Sequence, residues 1–302
     1  MKLRKFMTMF MIMTMTAGLM VGCGSSSSDE SLEGETAAWD SSMDITIVSR
    51  EDGSGTRGAF IELFGIEVKD ESGEKVDMTT EEAQITNSTS VMMTTVAGDE
   101  YAIGYVSLGS LDDSVKAVKI DGAEATAENI KSGDYTVSRP FNIATREDMD
   151  NAVAEDFINF ILSAEGQAVV SENGYISLDD VEAFESAMPE GKVVVGGSSS
   201  VSPVMEKLIE SYKAINTNAE IELQTTDSTT GMTSTIEGSY DIGMASRELK
   251  DEEIAEGLVG QVIATDGIAV VVNLNNPTDD MSVDQVNAIY VGDAYTWDEV
   301  VE

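Results

Sequence analysis

The sequence predicts an α/β protein with two lobes. Two stretches, DITIVSREDGSGTRGAFIELFG and KVVVGGSSSVSPVMEKLIESY, each run from a β-rich strand through a loop of small residues into a helix. The helices carry apolar residues at helical spacing, Phe60 and Phe64 in the first and Val204, Leu208 and Tyr212 in the second. A chain of 302 residues is longer than one hydrophobic core comfortably supports, so two lobes are expected rather than one.

The N-terminal segment predicts export from the cytoplasm. Lys2, Arg4 and Lys5 precede an apolar stretch that ends at Cys23, the only cysteine in the chain, which is typical of a secretory signal. The residues MVGC and the polar run GSSSSDESLEGE after them resemble a bacterial lipoprotein cleavage box. This resemblance implies that residues 1–23 are the lipoprotein signal segment, whose last residue, Cys23, becomes the lipidated first residue of the mature protein at the outer face of the cell membrane. An ordinary signal peptide, or a short membrane anchor with an incidental cysteine, is the alternative.

Composition narrows the chemistry that the chain can perform. Residues 24–43 are rich in Ser, Gly, Glu and Asp and predict a flexible tether. The formal net charge of -39 is spread along the chain, which argues against nucleic acid binding. The chain contains no histidine, so Ser-His-Asp and Cys-His catalytic groups and histidine-ligated zinc sites are excluded. No carboxylate pair stands out for acid-base catalysis, and neither a cofactor nor a metal is expected.

The first loop of small residues, SREDGSGTR, predicts an anion site. Free backbone N–H groups and the positive end of the helix dipole favour an anion at a helix N-terminus. Ser54 and Thr56 add hydroxyl donors, and Arg50 and Arg57 add charge with a geometry that suits an oxyanion. A nucleotide-binding P-loop would need the spacing GxxxxGK[ST], and no lysine follows here. A capped strand-to-helix turn with solvated arginines is the alternative.

Two further loops resemble the first in composition. Ser199 and Ser200 lie in the turn before the second helix, and residues 228–231 open a short helix in QTTDSTTGMTSTIEG. The strand in YDIGMASREL ends at Ser246 and Arg247. A serine cluster at a helix start is most often a cap. Two such loops in one chain are less easily explained by capping alone.

Asp266 interrupts the apolar strand VIATDGIAVVVN. A buried carboxylate without a partner costs several kcal/mol. Asp266 is therefore expected either at an edge of the strand or in a functional site.

Several segments together resemble the phosphate-binding lipoprotein of bacterial phosphate import, the substrate receptor of an ABC transporter. They are SREDGSGTRGAF, AIGYVSLGSLDDSVKAVKIDG, SRPFNIAT, FINFILSAEGQAVVSENGYISL, GGSSSVSPVMEKL and YDIGMASREL. The resemblance covers residues 44–302. It implies a two-lobed periplasmic-binding-protein-like fold of type II with two crossover strands and the ligand in the cleft. It also implies a monomer that binds inorganic phosphate, delivers it to ABC permease subunits and is not an enzyme.

The order of these segments is rotated relative to that family. In the family the GSSS loop opens the mature chain, whereas here residues 44–180 precede residues 193–302. This order looks like a circular permutation in which DDVEAFESAMPEG joins the family's old ends. A fragment of a tandem gene, or an assembly artefact, is the alternative.

The rotated order predicts which lobe is continuous. The first lobe is expected to span residues 139–275, and the second lobe is expected to combine residues 44–138 with 276–302. The chain should cross between the lobes near TVSRPF and near VNLNNP.

The resemblance also implies the residues of the site. The expected phosphate ligands come from both lobes and are Arg50, Ser54, Gly55, Thr56, Ser199, Ser200 and Ser228, to which Ser246 and Asp266 are added from neighbouring loops. Asp52 matches a carboxylate that holds the arginine in place.

Selectivity for phosphate over sulfate depends in this family on an acceptor for the phosphate proton. Some members place an aspartate after the G-x-S strand end, where this chain has Ser246 and Arg247. Asp266 or Asp227 is expected to take that role from a neighbouring loop. A carboxylate in the site would repel sulfate, which has no proton to share.

Other functions stay open at this point. A receptor of the same architecture could bind another oxyanion, such as sulfate, molybdate or tungstate. A cell-surface hydrolase of phosphorylated substrates would need a metal site or an activated nucleophile, and the sequence shows neither. A structural surface lipoprotein with a decayed site is the third alternative.

Overall fold

The chain combines helices and strands, as the strand-loop-helix pattern predicts. The computed structural model of the protein describes residues 39–301. The helices are α1 (Gly55–Leu63), α2 (Thr89–Ala97), α3 (Ala127–Ser132), α4 (Ala152–Ile161), α5 (Ala164–Glu172), α6 (Ser202–Ile215), α7 (Ser228–Ile236), α8 (Asp251–Ala255) and α9 (Val283–Val291). The strands are β1 (Thr46–Arg50), β2 (Glu67–Lys69), β3 (Lys75–Asp77), β4 (Gln84–Thr86), β5 (Ala102–Ser107), β6 (Lys116–Ala117), β7 (Lys119–Ile120), β8 (Ser138–Arg146), β9 (Gly191–Ser198), β10 (Ala219–Thr226), β11 (Ile242–Ala245), β12 (Leu258–Val272) and β13 (Asp280–Met281).

The central sheet joins two groups of parallel strands. Its order is β10-β9-β11-β8-β12-β5-β1-β4, and β6 also pairs with β12. The strands β10, β9 and β11 are parallel at one end, and β5, β1 and β4 are parallel at the other. Between these groups β8 and β12 run antiparallel to each other and to their outer neighbours. The predicted α/β class is confirmed.

Two hydrophobic cores lie on either side of a short polar segment of β8 and β12. Core 1 contains Phe141 of β8 and Ala264 of β12, together with the apolar faces of α4, α5 and α6. Core 2 contains Val137 just before β8 and Ile268 of β12, together with residues of α1, α2, β5 and α9. The chain therefore passes from one core to the other at residues 138–140 and again at residues 265–267.

The second crossing corrects the sequence-based boundary. We expected it near VNLNNP, but the last five residues of β12, from Ile268 to Val272, already belong to core 2. The strand is 15 residues long, which is enough to serve both cores without a break. An uninterrupted apolar run cannot show at which residue its packing partners change.

Helical spacing correctly predicted the buried faces. Phe60 and Phe64 are buried in core 2, where the ring of Phe60 stacks on that of Tyr105 at a centroid distance of 3.8 Å. Val204, Leu208 and Tyr212 of α6 are buried in core 1. These predicted helix faces are confirmed.

The two ends of the described chain lie together. Residues 39–45 run beside residues 295–298, with hydrogen bonds from Ile45 N to Tyr295 O (2.8 Å) and from Asp298 N to Ser41 O (2.7 Å). The ring of Trp39 packs edge-on against that of Trp297. The expectation of a flexible tether as far as residue 43 is therefore wrong for residues 39–43. Cys23, the proposed signal peptide and the rest of the tether lie outside the described residues.

The segment expected to join the family's old ends is irregular but anchored. Residues 181–190 form no helix or strand. The buried carboxylate of Asp156 accepts hydrogen bonds from Ser186 Oγ (2.7 Å), Ala187 N (3.0 Å) and Tyr212 Oη (2.7 Å). The segment is thus held against core 1. No helix within residues 39–301 is both long enough and apolar enough to span a membrane.

Candidate anion-binding site

Four helix N-termini meet where the two parallel strand groups end. From the core 2 side come α1, which follows β1, and α2, which follows β4. From the core 1 side come α6, which follows β9, and α7, which follows β10. The sequence predicted α1, α6 and α7 at the site, but it did not predict α2. The carboxyl ends of parallel strands are a usual place for a ligand in α/β folds.

Arg50, the last residue of β1, lies at the centre of this site with only 2% of its surface exposed. Its Nε and Nη2 atoms donate to the two carboxylate oxygens of Glu51, both at 2.8 Å. The other edge of the guanidinium faces the loops, with Nη2 3.1 Å from Ser199 Oγ and Nη1 3.4 Å from Thr89 Oγ1. One edge is thus fixed by a carboxylate, while the other points towards the helix ends.

The backbone before Arg50 is fixed by a buried tyrosine. Tyr105 Oη accepts a hydrogen bond from Arg50 N at 3.1 Å and lies 2.9 Å from Ser49 Oγ. Burial raises the pKa of Tyr105 to about 12, so the hydroxyl stays protonated at neutral pH.

Hydroxyl groups connect the two sides of the site. Thr56 Oγ1 of α1 lies 2.8 Å from Ser200 Oγ of the loop before α6. Thr89 Oγ1 of α2 lies 3.3 Å from Ser199 Oγ and 3.2 Å from Ser200 Oγ. All four residues are buried. The structure therefore brings the predicted residues Arg50, Thr56, Ser199 and Ser200 together.

Gly55 allows the two sides to approach closely. A Cβ atom at this position would lie 2.5 Å from Ser228 Oγ and 2.8 Å from Ser246 Oγ, closer than such atoms can pack. Ser228 Oγ in turn accepts from Ser246 N at 3.1 Å, and Ser246 Oγ accepts from Ser198 Oγ at 3.0 Å. Ser228 and Ser246 thus lie directly against the first loop, on its opposite side.

Ser54 has a capping role beside its predicted role as a ligand. It is the N-cap of α1, and its hydroxyl accepts from Arg57 N at 3.3 Å. The residue is also buried.

The prediction for Asp52 is wrong in its partner. Asp52 pairs with Arg57 at 2.7 Å, and its side chain is 98% exposed. Arg57 also pairs with Asp77 at 2.8 Å and donates to Arg50 O at 2.8 Å. Glu51, the residue directly after β1, holds Arg50 instead, whereas Asp52 lies in the turn that Ser54 N closes by donating to Glu51 O at 2.9 Å.

Neither of the two aspartates considered as proton acceptors forms a hydrogen bond with the hydroxyl cluster, that is, with Thr56, Thr89, Ser199 or Ser200. Asp266 accepts from Ser107 Oγ at 2.9 Å and from Arg139 Nη2 at 3.2 Å. Asp227 caps α7 by accepting from Thr230 N at 2.9 Å. The carboxylates of both residues are thus occupied by other donors, and the structure does not bring them into hydrogen-bond contact with Arg50.

Asp266 instead marks the passage between the two cores. Asp266 of β12 and Arg139 of β8 are cross-strand neighbours, 0% and 4% exposed, in the polar segment that separates the cores. Burial raises the pKa of Asp266 to about 6, while Arg139 and Ser107 act in the opposite direction. Contrary to the expectation from the sequence, Asp266 therefore lies inside β12, neither at an edge of the strand nor among the hydroxyl groups of the site, and its charge is instead partnered by Arg139.

The donors of the site suit an anion without a metal. Each helix N-terminus carries about half a positive charge, so four of them offer about as much as a dianion carries. The charge of Arg50 is largely offset by that of Glu51. Within residues 39–301, acidic and cysteine side chains nowhere form a group of three that could hold a metal ion.

Comparisons with known proteins place this architecture in a family. A model described as a PBP superfamily domain matches residues 32–165 and 183–301. The phosphate-binding protein PstS 2 of Streptococcus agalactiae serotype V is 54% identical over 286 residues, which cover 95% of this chain and 94% of that protein. The PstS 2 of Streptococcus pneumoniae serotype 4 is 41% identical over 303 aligned positions, 99% of this chain and 100% of that protein. The chain belongs to the PstS family.

A solved structure supports the same assignment. The crystal structure of the phosphate-binding protein of a phosphate ABC transporter from Streptococcus pneumoniae TIGR4 covers 85% of this chain and all of its own, with 43% identity and a TM-score of 0.67. The two-lobed binding-protein fold implied by the sequence resemblance is thereby confirmed.

Two residues of this PstS-family site were not predicted from the sequence. Glu51 was overlooked because the resemblance pointed to Asp52. Thr89 was overlooked because its loop lacks the glycines of the other three. The signal was nevertheless present, since NSTS stands between a short strand and the apolar run VMM, as Ser and Thr do at a helix start.

We expect Glu51→Gln to lower the free energy of unfolding by about 2–3 kcal/mol, between the figures for buried and exposed ion pairs, because it leaves the Arg50 charge buried without its partner. Asp52→Asn should cost less than about 1 kcal/mol, because Asp52 forms an exposed pair. Urea unfolding of both variants, without anion, measures the difference. In an Arg50→Met background the two substitutions should cost about the same. A larger loss of unfolding free energy for Asp52→Asn than for Glu51→Gln would mean that Asp52, not Glu51, holds Arg50 in place.

Proposed function

We propose that this chain binds inorganic phosphate outside the cytoplasm and delivers it to an ABC-type phosphate permease. The observation that carries the proposal is the convergence of four helix N-termini, the outer edge of Arg50 and a cluster of buried hydroxyl groups on one point between two cores. The relatives that match over nearly their whole length are named phosphate-binding proteins, and the solved relative is described as the phosphate-binding protein of a phosphate ABC transporter.

The contacts between the two sides suggest how binding is signalled. Thr56 and Thr89 on one side meet Ser199 and Ser200 on the other, so an anion held here would touch groups from both cores. An anion that contacts both sides favours the closed arrangement over an open one, because those contacts exist together only when the cleft is closed. The closed form is the one we propose to dock on the permease.

The acidic surface does not prevent anion binding. The net charge of -39 is distributed over the chain, while the donors of the site act at contact distance. Surface charges more than about 8–10 Å away are largely screened at physiological salt. We therefore propose that the acidic surface slows capture more than it weakens the bound state.

We propose a binding protein rather than an enzyme, acting as a monomer. The hydrolase alternative needs a metal or an activated nucleophile. The chain has no histidine, and the described residues contain no metal-binding cluster. Turnover of a phosphate ester by the purified protein would revive that alternative.

Substitutions in the site should separate anion binding from folding. Arg50→Ala should weaken phosphate binding at least about 100-fold, since it removes charge-assisted hydrogen bonds, and Ser54→Ala should weaken it about tenfold. Calorimetric titration of the purified protein with phosphate and then sulfate at pH 7, after removal of carried-over anion, measures both. A tighter response to sulfate or molybdate than to phosphate would favour the other oxyanion receptors.

The control for Ser54 is another serine cap. Ser282 caps α9 by accepting from Gln285 N at 3.1 Å and lies outside the site. Ser282→Ala should cost about 1 kcal/mol of stability, as Ser54→Ala does, without changing phosphate affinity. Near-normal phosphate binding by both Arg50→Ala and Ser54→Ala would refute the site.

We further propose that the segment order is a circular permutation of the arrangement found elsewhere in the family. Two observations support it. The PstS 2 proteins match from end to end, whereas the PstS proteins of Staphylococcus saprophyticus and Bacillus subtilis match over only 38% and 47% of this chain. Residues 39–45 also run beside residues 295–298, so a direct connection there needs little added chain. The end-to-end matches argue against a rearranged fragment.

In this arrangement the lobes follow the two cores. We propose that residues 139–267 form the first lobe and that residues 44–138 and 268–301 form the second. A chain that starts at residue 191, runs to 301 and continues through a short Gly/Ser linker into residues 39–188 should fold and bind phosphate with an affinity within about threefold of the original. Circular dichroism and the same titration decide this. An unfolded product would contradict the proposed permutation.

We propose that Cys23 anchors the protein to the outer face of the cell membrane. The support is the basic and apolar N-terminal sequence and the MVGC segment. In the native host, Cys23→Ser should move the protein from the membrane fraction to the medium. In the protein that retains Cys23, the mass of the mature N-terminal peptide should include a diacylglyceryl group. The absence of this group would exclude the anchor.

A further inference from the structure

Thr89 is placed in the site by a helix that the sequence comparison did not single out. It is the first residue of α2, and the preceding Ser88 is the N-cap, whose hydroxyl accepts from Val91 N at 3.3 Å. Because Ser88 already caps the helix, the hydroxyl of Thr89 is not needed for that purpose. Thr89 is nevertheless only 5% exposed, although it lies at a helix start where side chains commonly face water.

The polar atoms of Thr89 contact three of the residues expected to hold the anion. Its Oγ1 lies 3.3 Å from Ser199 Oγ and 3.2 Å from Ser200 Oγ, and it accepts from Arg50 Nη1 at 3.4 Å. Its backbone N donates to Ser199 Oγ at 3.4 Å. Thr89 therefore faces the same point as the predicted ligands with both its hydroxyl and its amide.

Other threonines of the same region behave differently. Thr94 and Thr95 on α2 donate to the carbonyl oxygens of Ser90 and Val91 one turn earlier, which is ordinary for a helix. Thr86 at the end of β4 donates to Ser49 O. Thr89 is the member of this group whose hydroxyl lies among side chains from the other core.

The N-terminus of α2 adds positive electrostatic potential to the site. Glu51 offsets much of the charge of Arg50, so the remaining attraction for an anion comes largely from helix N-termini. The first-turn N–H groups of a helix lack partners within the helix. With α2, each core contributes two helix ends to the site.

We propose that Thr89 is a direct ligand of the bound anion, donating its hydroxyl and its backbone N–H, and that α2 is the fourth helix whose N-terminus holds the anion. This inference rests on the proposed function, because it concerns the same site. It names a ligand that neither the Gly/Ser loops nor the resemblance indicated.

A set of threonine variants tests the role. Thr89→Val removes the hydroxyl at nearly constant volume and should raise the Kd for phosphate about 10- to 100-fold, as expected for the loss of a hydrogen bond to a charged ligand. Thr89→Ser keeps the hydroxyl and should restore the affinity to within about threefold of the original. Thr94→Val, on the same helix but exposed, is the control and should leave the Kd unchanged.

A double variant separates a direct ligand from a residue that only positions Ser199. If Thr89 contacts the anion itself, Thr89→Val should still weaken binding in a Ser199→Ala background. If Thr89 acts only by holding Ser199, the second substitution should have no further effect, and the proposal would be overturned. Unchanged phosphate affinity of Thr89→Val alone would also overturn it.

The test of Thr89 as a ligand is separate from the test of phosphate as the substrate. If the unmodified protein binds sulfate or molybdate but not phosphate, the same variants are titrated with that anion. A loss with Thr89→Val that Thr89→Ser restores would then support Thr89 as a ligand, although phosphate would no longer be the substrate. Thr89→Val should lower the unfolding temperature more than Thr94→Val, because the Thr89 hydroxyl contacts buried groups whereas Thr94 is exposed, so the titrations are made at a temperature where both variants are folded.

Discussion

The burial of one guanidinium organises the site and the contact between the two cores. Arg50 is almost without access to water, and a buried charge is tolerated only with partners. Glu51 occupies one edge of the group, and the hydroxyl of Ser199 from the opposite side faces the other edge. The position of Arg50 therefore determines where the loops of core 1 must arrive, and it leaves an edge suited to an oxyanion.

The close approach of the loops depends on residues without bulk and on hydroxyl groups. At position 55 only glycine fits, because Ser228 and Ser246 of the opposite side lie where a Cβ atom would be. Hydroxyl groups such as Thr56 and Ser200 can both donate and accept, so they pair with one another across the cleft and can also donate to an anion. A site made in this way needs little net positive charge, which reconciles it with a strongly acidic chain.

The passage between the cores is built differently. Arg139 and Asp266 face each other on adjacent strands, both buried, at the level where the apolar packing changes from one core to the other. Because the two charges neutralise each other, β8 and β12 can contain a buried polar segment between their apolar parts. The raised pKa of Asp266 reflects its burial, which Arg139 and Ser107 only partly oppose.

The sequence by itself determined the α/β class, the helix faces such as that of α6, and three of the four loops of the site, because these depend on local periodicity and on small residues at helix starts. Only the tertiary structure decided which carboxylate holds Arg50, that Asp266 pairs with Arg139, and that Thr89 joins the site. These facts depend on how the turn after β1 places adjacent side chains and on contacts between residues as far apart as 89 and 199. Contacts between residues so far apart in the sequence arise from the packing of two cores around one sheet, and a local sequence pattern cannot predict them.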